Sequence, residues 1–182
     1  MDPAYLNKLF SISNWLFLIP CYCQNSIGDL WNTLVPTYFS NSLNNVGIGV
    51  CIRDEDGLFV LAKAEWFAPI VDVDLGEAMG VLTAMQWVKD LHLLNLDFEM
   101  DSKTVVDSVY GGSKGVSNYM AIINDCRHML ATDLANSDLK FIRRQANGAA
   151  HSLAKEAPFN PSLHIYYNIP SCISDYLFNE MQ

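Results

Sequence analysis

The sequence predicts an α/β domain: a mixed sheet containing an antiparallel hairpin, with helices on both faces. Three observations carry this. Residues 46–52 and 58–66 are extended, largely apolar runs joined by Arg53-Asp54-Glu55-Asp56-Gly57, and a closing Asp-Gly marks a hairpin turn. Downstream, segments with apolar residues at three- and four-residue steps alternate with short extended ones. The chain has 182 residues, of which 51% are hydrophobic and 17% charged, enough for one domain with a sizeable core.

Along the chain, residues 1–30 form an N-terminal extension. Its apolar run Trp15-Leu16-Phe17-Leu18-Ile19 ends at Pro20 and is too short to span a membrane. It also lacks the basic leader and cleavage site of a secretory signal. Residues 34–39 can be extended, although Pro36 removes a donor and sits awkwardly in a central strand. Residues 40–45 are polar and rich in Asn, hence a turn. The hairpin follows. Residues 76–91 read as a helix through Ala78, Val81, Leu82, Met85 and Val88. Residues 93–100 are extended and end at Asp101. Residues 102–110 are helical and stop at Gly111-Gly112, and residues 116–134 present a second helical face. A strand at 139–142 precedes a last helix that Asn147 can cap and Pro158 helps to end. The domain therefore spans 31–158, and 159–182 is a C-terminal tail with room for a short packed segment.

The formal charge of −9 argues against a general phosphate-backbone binder but leaves room for a local basic patch. Lys140, Arg143 and Arg144 form such a patch. The five cysteines, Cys21, Cys23, Cys51, Cys126 and Cys172, are odd in number and scattered, which favours plain thiols over a disulfide framework or a metal cluster. The expected setting is intracellular, nuclear or cytoplasmic, with no membrane partner.

Four blocks stand in fixed order: Gly47-Ile48-Gly49 leading to Arg53-Asp54 and Gly57, Glu77-Ala78 leading to Ala84-Met85 and Trp87, Glu99-Met100-Asp101-Ser102, and Arg144 through Asn147, Ala150-His151 and Leu153-Ala154. Together they resemble the RNase H-like domain attached to plant non-LTR retroelement reverse transcriptases, which also occurs alone. The resemblance covers residues 31–158. It implies cleavage of the RNA strand of an RNA–DNA hybrid with Mg2+ or Mn2+ held by acidic side chains. Two-metal chemistry at phosphorus needs several close carboxylates and hard oxygen ligands.

By that resemblance Glu77, Asp101 and His151 are the catalytic and metal-ligating positions, and Lys140, Arg143 and Arg144 contact nucleic acid. Two positions depart from the pattern. Pro36 stands where active relatives carry the first-strand aspartate, so a shared ligand is missing. His151 stands where many RNase H domains have aspartate, although the plant branch commonly has N-x-x-A-H. Imidazole is a softer ligand than magnesium prefers. The implied hybrid-directed activity is weak. The alternative is an inactive nucleic-acid-binding or protein-interaction module.

Each of these residues also has a plainer reading. Glu77 suits a helix first turn. Asp101 can cap the helix that follows it. His151 can be a partly buried histidine with a hydrogen-bond partner, and the three basic residues a solvated loop. Arg53 and Asp54 read as hairpin residues, Asp107 as helix surface, and Trp66 and Trp87 as core or rim aromatics.

Overall fold

The computed structural model describes residues 31–112, 115–160 and 163–180, with side chains to residue 176 in the last segment. The expected N-terminal extension, with Cys21 and Cys23, lies outside the described residues.

The sheet is built from β1 (Trp31–Leu34), β2 (Thr37–Ser40), β3 (Asn45–Arg53), β4 (Phe59–Phe67), β5 (Leu96–Met100), β6 (Asp138–Phe141) and β7 (Leu163–Tyr166). The strand order is β6-β5-β1-β3-β4-β7, with β2 also on β3. β5 runs parallel to both β1 and β6, while β3, β4 and β7 pair antiparallel. The hairpin turn is organised by Asp54, whose Oδ1 accepts from the backbone N–H of Asp56 (3.1 Å) and of Leu58 (2.8 Å). Gly57 takes the positive φ, 77°, that closes it.

Pro36 splits the extended segment at 34–39 without shifting its register. Leu34 lies opposite Cys51 and Thr37 opposite Ile48, so β1 and β2 are one strand against β3 with a gap at Val35-Pro36. Gly49 N–H still donates to the Pro36 carbonyl at 3.2 Å, and Val35 N–H donates to Glu99 of β5 at 2.9 Å. The ladder loses the return bond that a residue with an N–H would make from position 36. A proline is thus accommodated in a central strand.

Among the described residues the α-helices are α1 (Val73–Asp90), α2 (Lys103–Tyr110), α3 (Asn118–Ala131), α4 (Gly148–Glu156) and α5 (Ser171–Glu180). α1 starts three residues before the expected position, because Asp72 rather than Gly76 precedes its first turn. α2 and α3 are capped by Ser102 and Ser117, each accepting from the backbone three residues on.

Two cores flank the sheet. One packs α1, α2 and α3 on residues such as Val35, Ile48, Val50, Phe98 and Met100. The other packs Ala149, Ala150, Leu153 and Ile173 on Leu34, Cys51 and Ala62. Ile173 belongs to the segment read as a tail. There, β7 adds an edge strand to β4, and α5 packs on the same face as α4. The sequence hides this because β7 is only four residues long and half exposed. Burial pushes the Cys126 thiol up to about 12, which leaves it unreactive at neutral pH.

Close approach sets the spacing of the layers. A Cβ on Gly49 would lie 2.4 Å from the Ala150 carbonyl oxygen, and one on Gly47 would lie 2.1 Å from that of Ala154. Gly49→Ala therefore destabilises the fold by about 1–3 kcal/mol through overpacking. Ile173→Ala costs about 2–5 kcal/mol. Urea midpoints measure both, and an unchanged midpoint for Ile173→Ala would detach α5 from the cooperative unit.

Candidate active site

The parallel strands β1, β5 and β6 end at one edge of the sheet, and the candidate residues reach that edge from both faces. In open α/β sheets this is where ligands commonly bind. Asp101 follows β5 directly. Capping is not its role, because Ser102 Oγ accepts from Val105 N–H at the start of α2. Asp101 Oδ1 instead accepts from Asn147 Nδ2 at 3.2 Å.

Asn147 was expected to cap the last helix. It does precede α4, at the end of a 3₁₀ turn, Arg144–Asn147, but makes no side-chain cap. Its fully buried side chain crosses to Asp101 and leaves Oδ1 without a hydrogen-bond partner. Sequence reasoning missed this link. The available signal was the four-residue step from Asn147 to His151, which puts both near one helical face.

Glu77 comes from the opposite side. Gly76 and Gly80 let α1 lie close on β2: a Cβ at Gly76 would be 2.6 Å from the Phe39 ring, and one at Gly80 would be 2.7 Å from Thr37 Cγ2. Glu77 is thereby drawn beside Thr37 and largely out of water. Burial is the main cause that raises its carboxyl to about 7, and the negative charge of Asp101 adds to it. The Thr37 hydroxyl and the Arg144 guanidinium pull the other way. The Thr37 influence is electrostatic proximity rather than a well-formed bond, since both Thr37 Oγ1 and Glu77 Oε2 are buried without a hydrogen-bond partner of good geometry.

His151 lies on α4, its ring edge-on to Tyr38 with centroids 6.2 Å apart. Its Nε2 is 2.7 Å from Arg144 Nη2. Guanidinium is donor-only, so Nε2 must accept and the imidazole is neutral in this pairing. Burial first, then Arg144, holds its pKa below the usual histidine value, while Asp101 opposes them. Asp101 and Arg144 thus each act electrostatically on both Glu77 and His151. Pro36, buried between Val35 and Thr37, occupies the adjoining place on the central strand.

The basic residues divide. Lys140 Nζ is ion-paired with the mostly buried Asp97 at 2.6 Å, an attraction that raises its pKa. Arg143 is exposed, and Arg144 is exposed beside His151. Asp107 pairs with Lys103 on the surface of α2, at 2.6 Å. Trp66 Nε1 donates to the Asn160 carbonyl, and Trp87 is buried beneath the Lys63 ammonium.

The residues fit poorly to a two-ion centre. Among the described residues, no three His, Cys, Asp or Glu side chains are disposed to hold an ion together. Pro36 offers no donor, and the His151 Nε2 lone pair is taken by Arg144.

Sheet order and helix placement define an RNase H-like fold. Residues 35–157, well over half of the chain, match the reverse transcriptase-like family, and the chain belongs to it. Among solved structures it is similar to RNase H1 of the halophilic archaeon Halobacterium salinarum (TM-score 0.62, 17% identity, covering 70% of this chain and 96% of that one). It is also similar to the N-terminal RNase H domain of a Mycobacterium tuberculosis protein (TM-score 0.61, 18% identity, covering 71% and 94%). A third is LC11-RNase H1 in complex with RNA/DNA hybrid (TM-score 0.61, 19% identity, covering 72% and 96%). The curated proteins give no significant match by sequence.

The Glu77 shift predicts a pH signature in divalent-free buffer. The group titrates from 4.5 unfolded to about 7 folded, so between these values the native state binds the extra proton. Its relative contribution is fully favourable below 4.5, declines as pH rises, and levels off above about 7. The loss is at most about 3 kcal/mol, from 1.36 kcal/mol per pKa unit. Denaturant unfolding from pH 4.5 to 8 should show this decline, and Glu77→Gln should remove it.

Proposed function

We propose that this domain is an RNase H-like nucleic-acid-binding module that takes RNA–DNA hybrid and has weak hybrid-cleaving endoribonuclease activity. One observation carries the reading. Pro36 sits in register on the central strand, between Thr37, which adjoins Glu77, and the strand pairing that leads to Asp101. The edge keeps two coupled carboxylates and lacks a third where in-line phosphoryl chemistry needs one.

Family membership supports the assignment to nucleic acid, as does the hybrid held by the similar LC11-RNase H1. The plant retroelement lineage is part of this reading, resting on the Asn147-Gly148-Ala149-Ala150-His151 segment. Magnesium or manganese would be the ion for residual cleavage, with Glu77 and Asp101 as its carboxylates. Because the donor set fits two ions poorly, the chain's own groups do the recognisable work. Asn147 holds Asp101 in place, and Arg143 and Arg144 present positive charge to phosphate. The described residues contain no helix long and apolar enough to cross a membrane.

The net charge of −9 and the pairing of Lys140 with Asp97 favour a second reading, an inactive nucleic-acid-binding or protein-interaction module. Two experiments decide. Pro36→Asp, with Pro36→Asn as control and folding checked by circular dichroism, should raise Mg2+- or Mn2+-dependent hybrid cleavage by about a hundredfold or more. Equal, rapid cleavage by the parent and Pro36→Asp would show that the lost carboxylate was never needed.

For binding, Arg143→Ala and Arg144→Ala should each weaken hybrid affinity and lower the salt slope by about one. Lys140→Ala should do less, because Asp97 already engages its ammonium. Affinity indifferent to both salt and the two arginines would shift the assignment to protein interaction.

A further inference from the structure

We infer that the open edge of the sheet at β7 is a self-association surface, where a second copy of this chain pairs antiparallel across a two-fold axis to form a closed dimer. This goes beyond the nucleic-acid reading and does not depend on it.

The two edges of the sheet are built differently. β6 and β7 are the outermost strands among the described residues. An edge strand carries backbone N–H and C=O groups that point away from its neighbour, and they invite another strand unless charge or a side chain blocks them. At β6 they are blocked: the Tyr110 hydroxyl accepts from the Leu139 N–H at 2.8 Å, and Asp138 and Lys140 are charged. β7, Leu163-His164-Ile165-Tyr166, carries no Asp, Glu, Lys or Arg, and neither does any residue from 157 to 174. This neutral stretch is also apolar and open to solvent, with Phe159, Leu163, Tyr167 and Ile169 exposed by 74%, 37%, 41% and 44%. On the adjoining β4 the two ionised residues, Lys63 and Glu65, pair with each other at 3.1 Å.

Charge and symmetry select a second copy as the occupant. Two chains that each carry −9 repel in most orientations, and contact is least opposed where neither presents charge. A two-fold axis at Ile165 sets Leu163 opposite Tyr167 of the second copy and His164 opposite its Tyr166, so like faces of the two sheets continue into each other. His164 and Tyr166 already lie ring against ring within the chain, centroids 4.4 Å apart, and the pairing brings two such pairs together on one face. Because β6 is guarded, each copy has one usable edge and assembly stops at the dimer. The strand is only four residues long, so the dimer is weak, with a Kd on the order of tens of micromolar.

The test is sedimentation velocity of the purified chain without nucleic acid, from about 1 to 200 µM, a range that brackets the expected Kd. Three variants at exposed positions are run beside it: His164→Lys and Leu163→Lys on β7, and Phe141→Lys at the other edge. Circular dichroism and urea midpoints check that each variant folds. The expected result is a monomer–dimer equilibrium for the parent and for Phe141→Lys. His164→Lys and Leu163→Lys should each raise the dissociation constant by about tenfold or more, because a lysine on an edge strand opposes pairing. A parent that stays monomeric throughout the range, leaving the edge to some other strand, overturns the inference. So does a species that grows past the dimer with concentration, as an open head-to-tail contact gives. A dimer indifferent to both β7 substitutions, or weakened equally by Phe141→Lys, overturns it as well.

Discussion

The structure depends on how closely two helices approach the central strands. α1 lies on β2 across Gly76 and Gly80, and α4 lies on β3 across Gly47 and Gly49, where any Cβ would overlap a neighbouring ring, methyl or carbonyl. These contacts sit on opposite faces of the sheet. α1 therefore carries Glu77, and α4 carries His151 with Asn147 ahead of it, toward the edge where β5 delivers Asp101. Larger residues at those glycines would push the helices outward and separate the polar groups before they affected the topology. Packing geometry, more than any single polar bond, assembles the site.

That close approach has an electrostatic consequence. Seating Glu77 against Thr37 removes it from water, and Asp101 makes ionisation harder still. In a site built for divalent ions the ions offset such repulsion. Here the Thr37 hydroxyl and, more weakly, the Arg144 guanidinium favour the ionised Glu77, and together they do not outweigh burial. The unpartnered Glu77 Oε2, Thr37 Oγ1 and Asn147 Oδ1 record incomplete compensation, since buried polar atoms are normally hydrogen-bonded.

Much of the fold was legible in the sequence because the signals were local. Asp56-Gly57 marks the hairpin, Gly111-Gly112 ends the helix at 102–110, and the apolar steps of α1 are regular. What stayed hidden was long-range. β7 is four residues with mixed exposure, and only its pairing with Ala62 to Glu65 makes it a strand. The start of α1 shifted because a glycine at position 76 looks like a boundary, whereas its purpose is contact with Phe39. At the candidate site, the family resemblance singled out Glu77, Asp101 and His151. Asn147 was misread because an asparagine before a helix is a good local cap, and nothing in its neighbourhood announces a partner 46 residues away. Likewise, Lys140 reads as part of a basic run until strand pairing sets it against Asp97.

Pro36 shows how the backbone and the side chain of one strand position serve different ends. A strand position makes two independent contributions, one from its backbone and one from its side chain. The fold draws on the backbone, and there the proline forfeits one donor while its carbonyl still receives Gly49 N–H and Val35 still reaches Glu99. A single absent ladder bond in a seven-stranded sheet with two packed faces is a small fraction of what holds the domain together. Metal-ion chemistry draws on the side chain, where the loss of a carboxylate has no such redundancy, because each ligand in a small coordination set carries a large share of the charge and geometry. A domain of this kind can therefore keep its register and its helices around a proline in a central strand, so an intact fold does not by itself specify the chemistry at this edge.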